Sequence, residues 1–142
     1  MGDDAVGIHV VRMLRQRFPA KSELEFKELS VGGLRLVEEM LGYERVFIVD
    51  SIATDDSQIG QIQEMSPEDF KMTEQSSSPH VTNFATAFGL YRSLEPDKIP
   101  RSVKIFTIGM HSEFTFREGL SPRVNEAGLK VTDLIAHEIE QV

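Results

Sequence analysis

The stretch Val46-Phe47-Ile48-Val49-Asp50 decides the fold class of this chain. Four apolar residues follow one another, three of them are β-branched, and the run is bounded by charge on both sides. This pattern is typical of a strand that is buried on both faces, and such strands occur in parallel sheets covered by helices. A second run of this kind, residues 103–108, ends before Gly109. We therefore predict a mostly parallel sheet that contains both strands.

Segments with helical periodicity separate the predicted strands. In the first, residues 5–18, the apolar side chains of Val6, Val10 and Leu14 fall on one face. This alternation of strands and helices predicts a three-layer α/β fold, which the 142 residues form as a single domain. The other predicted elements are helices at 33–41, at 83–94 and from Ser121 onward, weaker strands at 24–29 and 58–65, and a helical turn at 66–69. The apolar side of the helix at 83–94 is predicted to consist of Phe84, Phe88, Leu90 and Tyr91.

The composition excludes several classes of protein. The chain has 15 Lys and Arg against 23 Asp and Glu, a net charge of −8, which repels nucleic acid and anionic membranes. It has no cysteine, which excludes disulfides, a cysteine nucleophile and iron–sulfur or thiolate zinc sites. No apolar run could span a bilayer, and the acidic start does not resemble a targeting signal. We expect a cytoplasmic protein that binds neither nucleic acid nor membranes.

The candidate site residues follow from where ligands bind in open α/β sheets, which is beyond the carboxyl ends of the strands. Asp50 ends the first buried strand, Asp3 and Asp4 precede the first helix, His80 lies in a Ser-rich loop, and His111 follows the second buried strand. Two carboxylates and an imidazole would suit zinc, nickel or another first-row divalent ion. Each residue also has an ordinary explanation, because such an Asp often caps a helix or forms a turn and a loop His is usually solvated.

Several catalytic motifs are absent from the sequence. It has no G-x-S-x-G nucleophile elbow and no G-K-[ST] phosphate loop, and Gly32-Gly33 lacks the spacing of a dinucleotide fingerprint. These absences count against a serine hydrolase and a nucleotide-binding protein. A metal-dependent enzyme and a non-catalytic metal- or partner-binding module remain open.

Five short blocks, in order along nearly the whole chain, resemble one family. That family is the hydrogenase maturation endopeptidases, the proteases that trim the carboxyl-terminal extension of nickel–iron hydrogenase large subunits. The blocks are Gly2-Asp3-Asp4-Ala5-Val6-Gly7, Ser30-Val31-Gly32-Gly33-Leu34, Val46-Phe47-Ile48-Val49-Asp50, Ser78-Pro79-His80-Val81-Thr82-Asn83 and Gly119-Leu120-Ser121-Pro122.

The resemblance implies both a fold and a site. It implies a twisted, largely parallel sheet of about five strands flanked by helices, in a monomer. Asp4, Asp50 and His80 match the residues that bind nickel in the hydrogenase large-subunit precursor, so they become the expected catalytic and metal-binding residues. Nickel is then bound through the substrate as a recognition element, and the same ligands would accept another divalent ion such as zinc or cadmium. His111 has no clear counterpart in the family.

The sequence also departs from the family pattern. Members begin with a strand and a G-N turn before the acidic pair, whereas these 142 residues start at the pair, so we expect the first strand to be absent. Where many members have D-G-G-T-x-G, this chain has Glu28 in place of the Asp, and its Gly33 matches the last glycine. The departure at the first strand keeps a second hypothesis open, a non-catalytic assembly factor for hydrogenase.

Overall fold

Four helices pack on a three-stranded sheet in the part of the chain that the computed structural model describes. This part comprises residues 6–19, 23–28, 33–72, 84–111 and 121–141. Two short 3₁₀ helices, Asp56–Gln58 and Pro67–Met72, precede and follow the strand Ile62–Met65 along the chain. The main elements are α1 (Val6–Arg17), α2 (Gly33–Met40), β1 (Arg45–Thr54), β2 (Ile62–Met65), α3 (Phe84–Leu94), β3 (Ser102–His111) and α4 (Pro122–Glu140).

The sheet is mixed, and its strand order is β1-β3-β2. β1 and β3 are parallel over ten residue pairs, from Arg45 opposite Ser102 to Thr54 opposite His111. β2 is antiparallel to β3, with Ile62 opposite Ile108. The predicted α/β class is confirmed. Of the roughly five strands expected from the resemblance, three lie in the described residues.

The strand predicted at 24–29 is not formed, at least over residues 24–28. Leu24 and Phe26 nevertheless pack against the core. Their alternation with polar residues therefore reflects one buried side of an extended segment. A strand also needs a neighbouring backbone with which to form hydrogen bonds, and among the described residues the segment 24–28 has no such neighbour. The alternation of apolar and polar residues was therefore not sufficient to predict a strand here.

The two apolar strands differ in burial. In β3 the side chains from Ile105 to Ile108 are at most 1% exposed, as predicted for a strand covered on both faces. In β1 the residues from Val46 to Val49 are only half-buried. The expectation of a fully buried β1 was wrong because β1 lies at the edge of the described sheet, with β3 on one side only.

Helices cover both faces of the sheet, which confirms the three layers. α1 and α4 pack on one face, where Val10, Phe106 and Val131 belong to a common core. α2 and α3 pack on the other face, around Val37, Phe84, Phe88, Ile105 and their neighbours. Full burial of one such side chain stabilises the fold by about 1.5–3 kcal/mol relative to leaving it in water.

Most element ends lie within one or two residues of their predicted positions. α2 is followed by Gly42, whose φ of +91° is the left-handed conformation that ends many helices. α4 begins with Pro122 directly after Ser121, as the sequence predicts. The predicted strand 58–65 is shorter than expected, because Asp55 accepts a hydrogen bond from the Ser57 N–H and caps a 3₁₀ helix there.

One predicted helix face needs correction. Leu90 was expected on the apolar side of α3, but it is 51% exposed. The buried side of α3 is formed by Phe84, Ala87 and Phe88.

Among the described helices, none is both long enough and apolar enough to cross a membrane.

Candidate active site at the β1–β3 edge

One of the three predicted site residues, Asp50, lies within the described part of the chain. Asp4 and His80 lie outside the described residues, so their positions relative to Asp50 remain a prediction. His111 is the last residue of β3. Within the residues that the structure does describe, no group of three or more His, Asp or Glu side chains is placed to hold a metal ion. A three-ligand site at Asp50 therefore requires ligands from segments such as those of Asp4 and His80.

Asp50 does not end its strand, contrary to the prediction. β1 continues to Thr54, and the pairing with β3 extends over this addition, with Ser51 opposite Ile108 and Ile52 opposite Gly109. The Asp suggested a turn, but the ladder with β3 outweighs that local preference. Asp50 thus lies within the strand, on the stretch leading to the carboxyl edge of the sheet.

The Asp50 carboxylate has a defined local environment. Asp50 is half-buried, and its Oδ1 accepts a hydrogen bond of 2.8 Å from the backbone N–H of Ser51. The neighbouring strand places Thr107 directly opposite Asp50 in the parallel register. Paired residues in a sheet project from the same face, so the two side chains are neighbours on the face that α2 and α3 cover.

The hydroxyl of Thr107 is the unusual polar group in this region. Thr107 is 0% exposed, and no described residue forms a hydrogen bond with its Oγ1. Buried polar atoms are almost always paired, so such an exception calls for an explanation. Sequence analysis did not single out Thr107. The available signal was a hydroxyl between Phe106 and Ile108 in a strand predicted to be buried.

Beyond Asp50, the loop that follows β1 is held tightly against the end of β3. The Thr54 hydroxyl donates a hydrogen bond of 2.9 Å to Gln58 Oε1. The Gly60 N–H donates to the carbonyl of Gly109 at 2.8 Å. A Cβ atom on Gly109 would lie 2.3 Å from the carbonyl oxygen of Gln58, so only glycine allows this approach. The loop of residues 55–61 is therefore packed closely against the carboxyl edge of the sheet and bounds that edge on one side.

Glu28 forms ion pairs with two arginines of α1. Its two carboxylate oxygens each accept a hydrogen bond of 3.2 Å from the Arg12 guanidinium, and Arg15 lies 3.4 Å away. The hydrogen bonds from Arg12, with a smaller contribution from Arg15, lower the pKa of the Glu28 carboxyl. These contacts tie the 23–28 segment to the exposed side of α1.

A shallow groove lies at the opposite edge of the sheet, where β2 ends and β3 begins. Its volume is about 510 Å³, and its lining includes Glu68, Arg92 and Lys104. Glu68 and Arg92 form an ion pair of 2.7 Å within it. The groove lies at the amino end of β3, whereas Asp50 lies toward the carboxyl end of β1, so the two are separate features.

Comparison with solved structures finds the same fold in hydrogenase maturation proteases. The maturating endopeptidase HybD from Escherichia coli matches with a TM-score of 0.75 and 19% identity, covering 99% of this chain and 86% of HybD. HybD from Thermococcus kodakarensis, a [NiFe] hydrogenase maturation protease, matches with a TM-score of 0.64 and 24% identity, covering 98% of this chain and 90% of that one. At these identities the matches show the fold alone.

Sequence comparison supplies the family. No curated protein matches the chain significantly. The family model HycI, hydrogenase maturation protease, matches residues 8–138, which is most of the chain and includes both Asp50 and His80. The chain therefore belongs to the hydrogenase maturation protease family and is an endopeptidase of hydrogenase maturation.

Proposed function

We propose that this endopeptidase removes the carboxyl-terminal extension of a nickel–iron hydrogenase large-subunit precursor after nickel has been inserted. Asp4, Asp50 and His80 bind the nickel of the precursor and so place the scissile peptide bond at the carboxyl edge of the sheet. The observation that supports this proposal most directly is the half-buried carboxylate of Asp50, which accepts a hydrogen bond from the Ser51 N–H and lies opposite Thr107 of β3.

The chemistry of these side chains fits the proposed ligand. Two carboxylates and one imidazole are oxygen and nitrogen donors, which suit nickel and other first-row divalent ions. Zinc or cadmium would occupy the same donors when nickel is absent. Nickel belongs to the substrate in this proposal, so a precursor without it should bind poorly and remain uncut.

Water is the proposed nucleophile, because the chain has no cysteine and no nucleophile elbow. The carboxylate of Asp4 or Asp50 takes a proton from the water while the water oxygen attacks the scissile carbonyl carbon. The carbon–nitrogen bond then breaks, and the leaving nitrogen takes up a proton. The products are the mature large subunit with a free carboxyl terminus and the released extension with a free amine.

The test is incubation of the purified protein with a nickel-loaded precursor, while the mass of the large subunit is followed. We expect a mass loss equal to that of the extension, and no loss with the nickel-free precursor. Equal cleavage of both precursors would contradict recognition through nickel. Binding without cleavage would instead favour the non-catalytic assembly factor. Light scattering during size-exclusion chromatography checks the proposed monomeric state.

A further inference from the structure

We propose that Thr107 is a positioning residue for Asp50. When the Asp50 carboxylate binds the metal ion of the substrate, the Thr107 hydroxyl donates a hydrogen bond to that carboxylate and holds it in the binding orientation. This inference rests on the proposed function, because it assigns a supporting residue to one of its three ligands.

The strand register brings the two residues together. Asp50 on β1 is the Cα partner of Thr107 on β3. Two residues earlier on each strand, Ile48 and Ile105 lie opposite each other and pack into the same core on the α2–α3 face. Since side chains alternate along a strand, Asp50 and Thr107 project from this face as well. They form the next step of the same row, toward the carboxyl edge.

The state of the Thr107 hydroxyl suggests a task outside folding. It is completely buried, and among the described residues it has no hydrogen-bond partner. A buried, unpaired hydroxyl destabilises the fold relative to an apolar group of the same shape, such as the valine side chain. Retaining threonine next to a predicted metal ligand is understandable if the hydroxyl acquires its partner during binding.

Asp50 has the capacity to accept this bond. A carboxylate offers about four lone-pair sites on its two oxygens. The Ser51 N–H donates to Oδ1, and a carboxylate can accept bonds from several donors while it binds a metal ion. Hydrogen bonds from such supporting residues orient metal ligands, and their loss typically lowers metal affinity about 10- to 100-fold.

Two matched pairs of proteins isolate the hydroxyl. Wild type and Thr107→Val differ by a hydroxyl in place of a methyl group, and Thr107→Ser and Thr107→Ala differ by the hydroxyl alone. Ni²⁺ is titrated calorimetrically into all four proteins, and the thermal unfolding midpoint of each is measured. Thr132→Val serves as control, because Thr132 is also buried but donates to the Gly128 carbonyl within α4.

We expect the protein lacking the hydroxyl to bind Ni²⁺ about 10- to 100-fold more weakly in each pair. Thr107→Val should unfold at the wild-type temperature or above it, since it removes an unpaired polar group. A purely structural role would not combine weaker binding with unchanged stability. Thr132→Val should bind Ni²⁺ as the wild type does.

Equal Ni²⁺ affinity within each pair would overturn the role of Thr107. Equal weakening of Thr107→Ser and Thr107→Ala would also overturn it, because the methyl group would then be responsible. If Asp50→Asn binds Ni²⁺ as tightly as the wild type, or if the wild type binds none, the metal site itself is wrong. In that case the proposed function fails together with this inference. If Asp50→Asn loses affinity while Thr107→Val does not, only the inference fails.

Discussion

The backbone of α1 at Gly7 lies directly against the carbonyl oxygen of Val49 on β1. A Cβ atom on Gly7 would lie 2.6 Å from that oxygen, well inside van der Waals contact, so only glycine permits the approach. Val49 immediately precedes Asp50, and Gly7 lies three residues after Asp4. This contact therefore sets the distance between α1 and the strand that carries Asp50.

Substitution of Gly7 by alanine should push α1 away from β1. The added methyl group meets backbone, which cannot move aside as the end of a flexible side chain can, so we expect destabilisation of about 1–3 kcal/mol. Precursor processing should fall as well, because a shift of α1 relative to β1 would change the distance between the proposed ligands Asp4 and Asp50. Chemical denaturation and the cleavage assay measure the two effects.

Gly89→Ala is the matched control for Gly7→Ala. Gly89 also lies inside a helix, α3, but a Cβ atom there has no neighbour within 4 Å. Alanine should stabilise this position by about 0.5–1 kcal/mol through its better helix propensity. Stabilisation by both substitutions would show that the Gly7–Val49 contact does not restrict α1.

Gly60, in the turn before β2, can be compared with Gly42, which follows α2. Gly60 and Gly42 both have positive φ, +82° and +91°, so alanine at either position costs about 1–2 kcal/mol of backbone strain. A Cβ atom on Gly42 meets nothing within 4 Å, whereas one on Gly60 would lie 2.8 Å from the carbonyl oxygen of Arg123 at the start of α4.

We therefore expect Gly60→Ala to destabilise the fold by about 1–3 kcal/mol more than Gly42→Ala. The difference between the two free energies of unfolding measures the packing of the 55–61 loop on α4. Equal losses would mean that this loop moves freely enough to accommodate the methyl group.

The ion pairs of Glu28 predict a stability difference that depends on pH. The pKa of Glu28 is lowered, chiefly by hydrogen bonds from Arg12. The folded state therefore favours the ionised carboxylate. Its contribution is fully present above the unfolded-state pKa, near 4.5, and disappears as the pH falls through the lower folded-state pKa. Glu28→Gln should thus unfold at a lower temperature than the wild type at pH 7, and the gap should close in acid.

Salt provides a further check on the Glu28 prediction, because the pairs are exposed. At about 1 M salt the screening length is near 3 Å, so the gap at pH 7 should narrow. Glu126→Gln is the control, since the 3.8 Å pair of Glu126 with Lys130 joins two residues of one helix whose side chains are 70% and 66% exposed. A gap that persists unchanged in acid would assign the effect of Glu28→Gln to packing rather than charge.

The elements with strong periodicity could be predicted from the sequence. The apolar run ending before Gly109 became β3, and the residues with helical spacing in α1 and α4 are buried in one core. In these segments the local pattern and the tertiary contacts agree. The extension of β1 beyond Asp50 could not be predicted, because it depends on the pairing of residues 51–54 with residues 108–111 of β3. No local property of residues 51–54 encodes that pairing.

The site could be predicted only in part, for a similar reason. Asp50 could be identified as a candidate site residue because it follows an apolar run, which is visible in the local sequence without knowledge of any other segment. Thr107 becomes noticeable only when the register places it opposite Asp50, and register is a relation between two distant segments. Gly7 belongs to a block that resembles the family, but its contact with the Val49 carbonyl likewise depends on how α1 docks.

The proposed ligands should affect processing far more than stability. Asp50→Asn keeps the shape of the side chain and an oxygen that can accept the hydrogen bond from the Ser51 N–H, while removing the charge that binds the metal. We expect processing of the nickel-loaded precursor to fall by about a hundredfold or more, since loss of a ligand should cost at least as much as loss of its supporting bonds. The unfolding midpoint should change little.

His80→Ala should have the same effect, because it removes the only nitrogen donor among the three proposed ligands. The controls are Asp97→Asn and His137→Ala, which make the same chemical changes at exposed positions, in the turn before β3 and on α4. Both should process the precursor at the wild-type rate. Cleavage mass spectrometry and thermal unfolding of all five proteins, the wild type included, separate loss of the site from loss of the fold. Full activity of either Asp50→Asn or His80→Ala would remove that residue from the site, since a ligand to the nickel of the substrate cannot be dispensable.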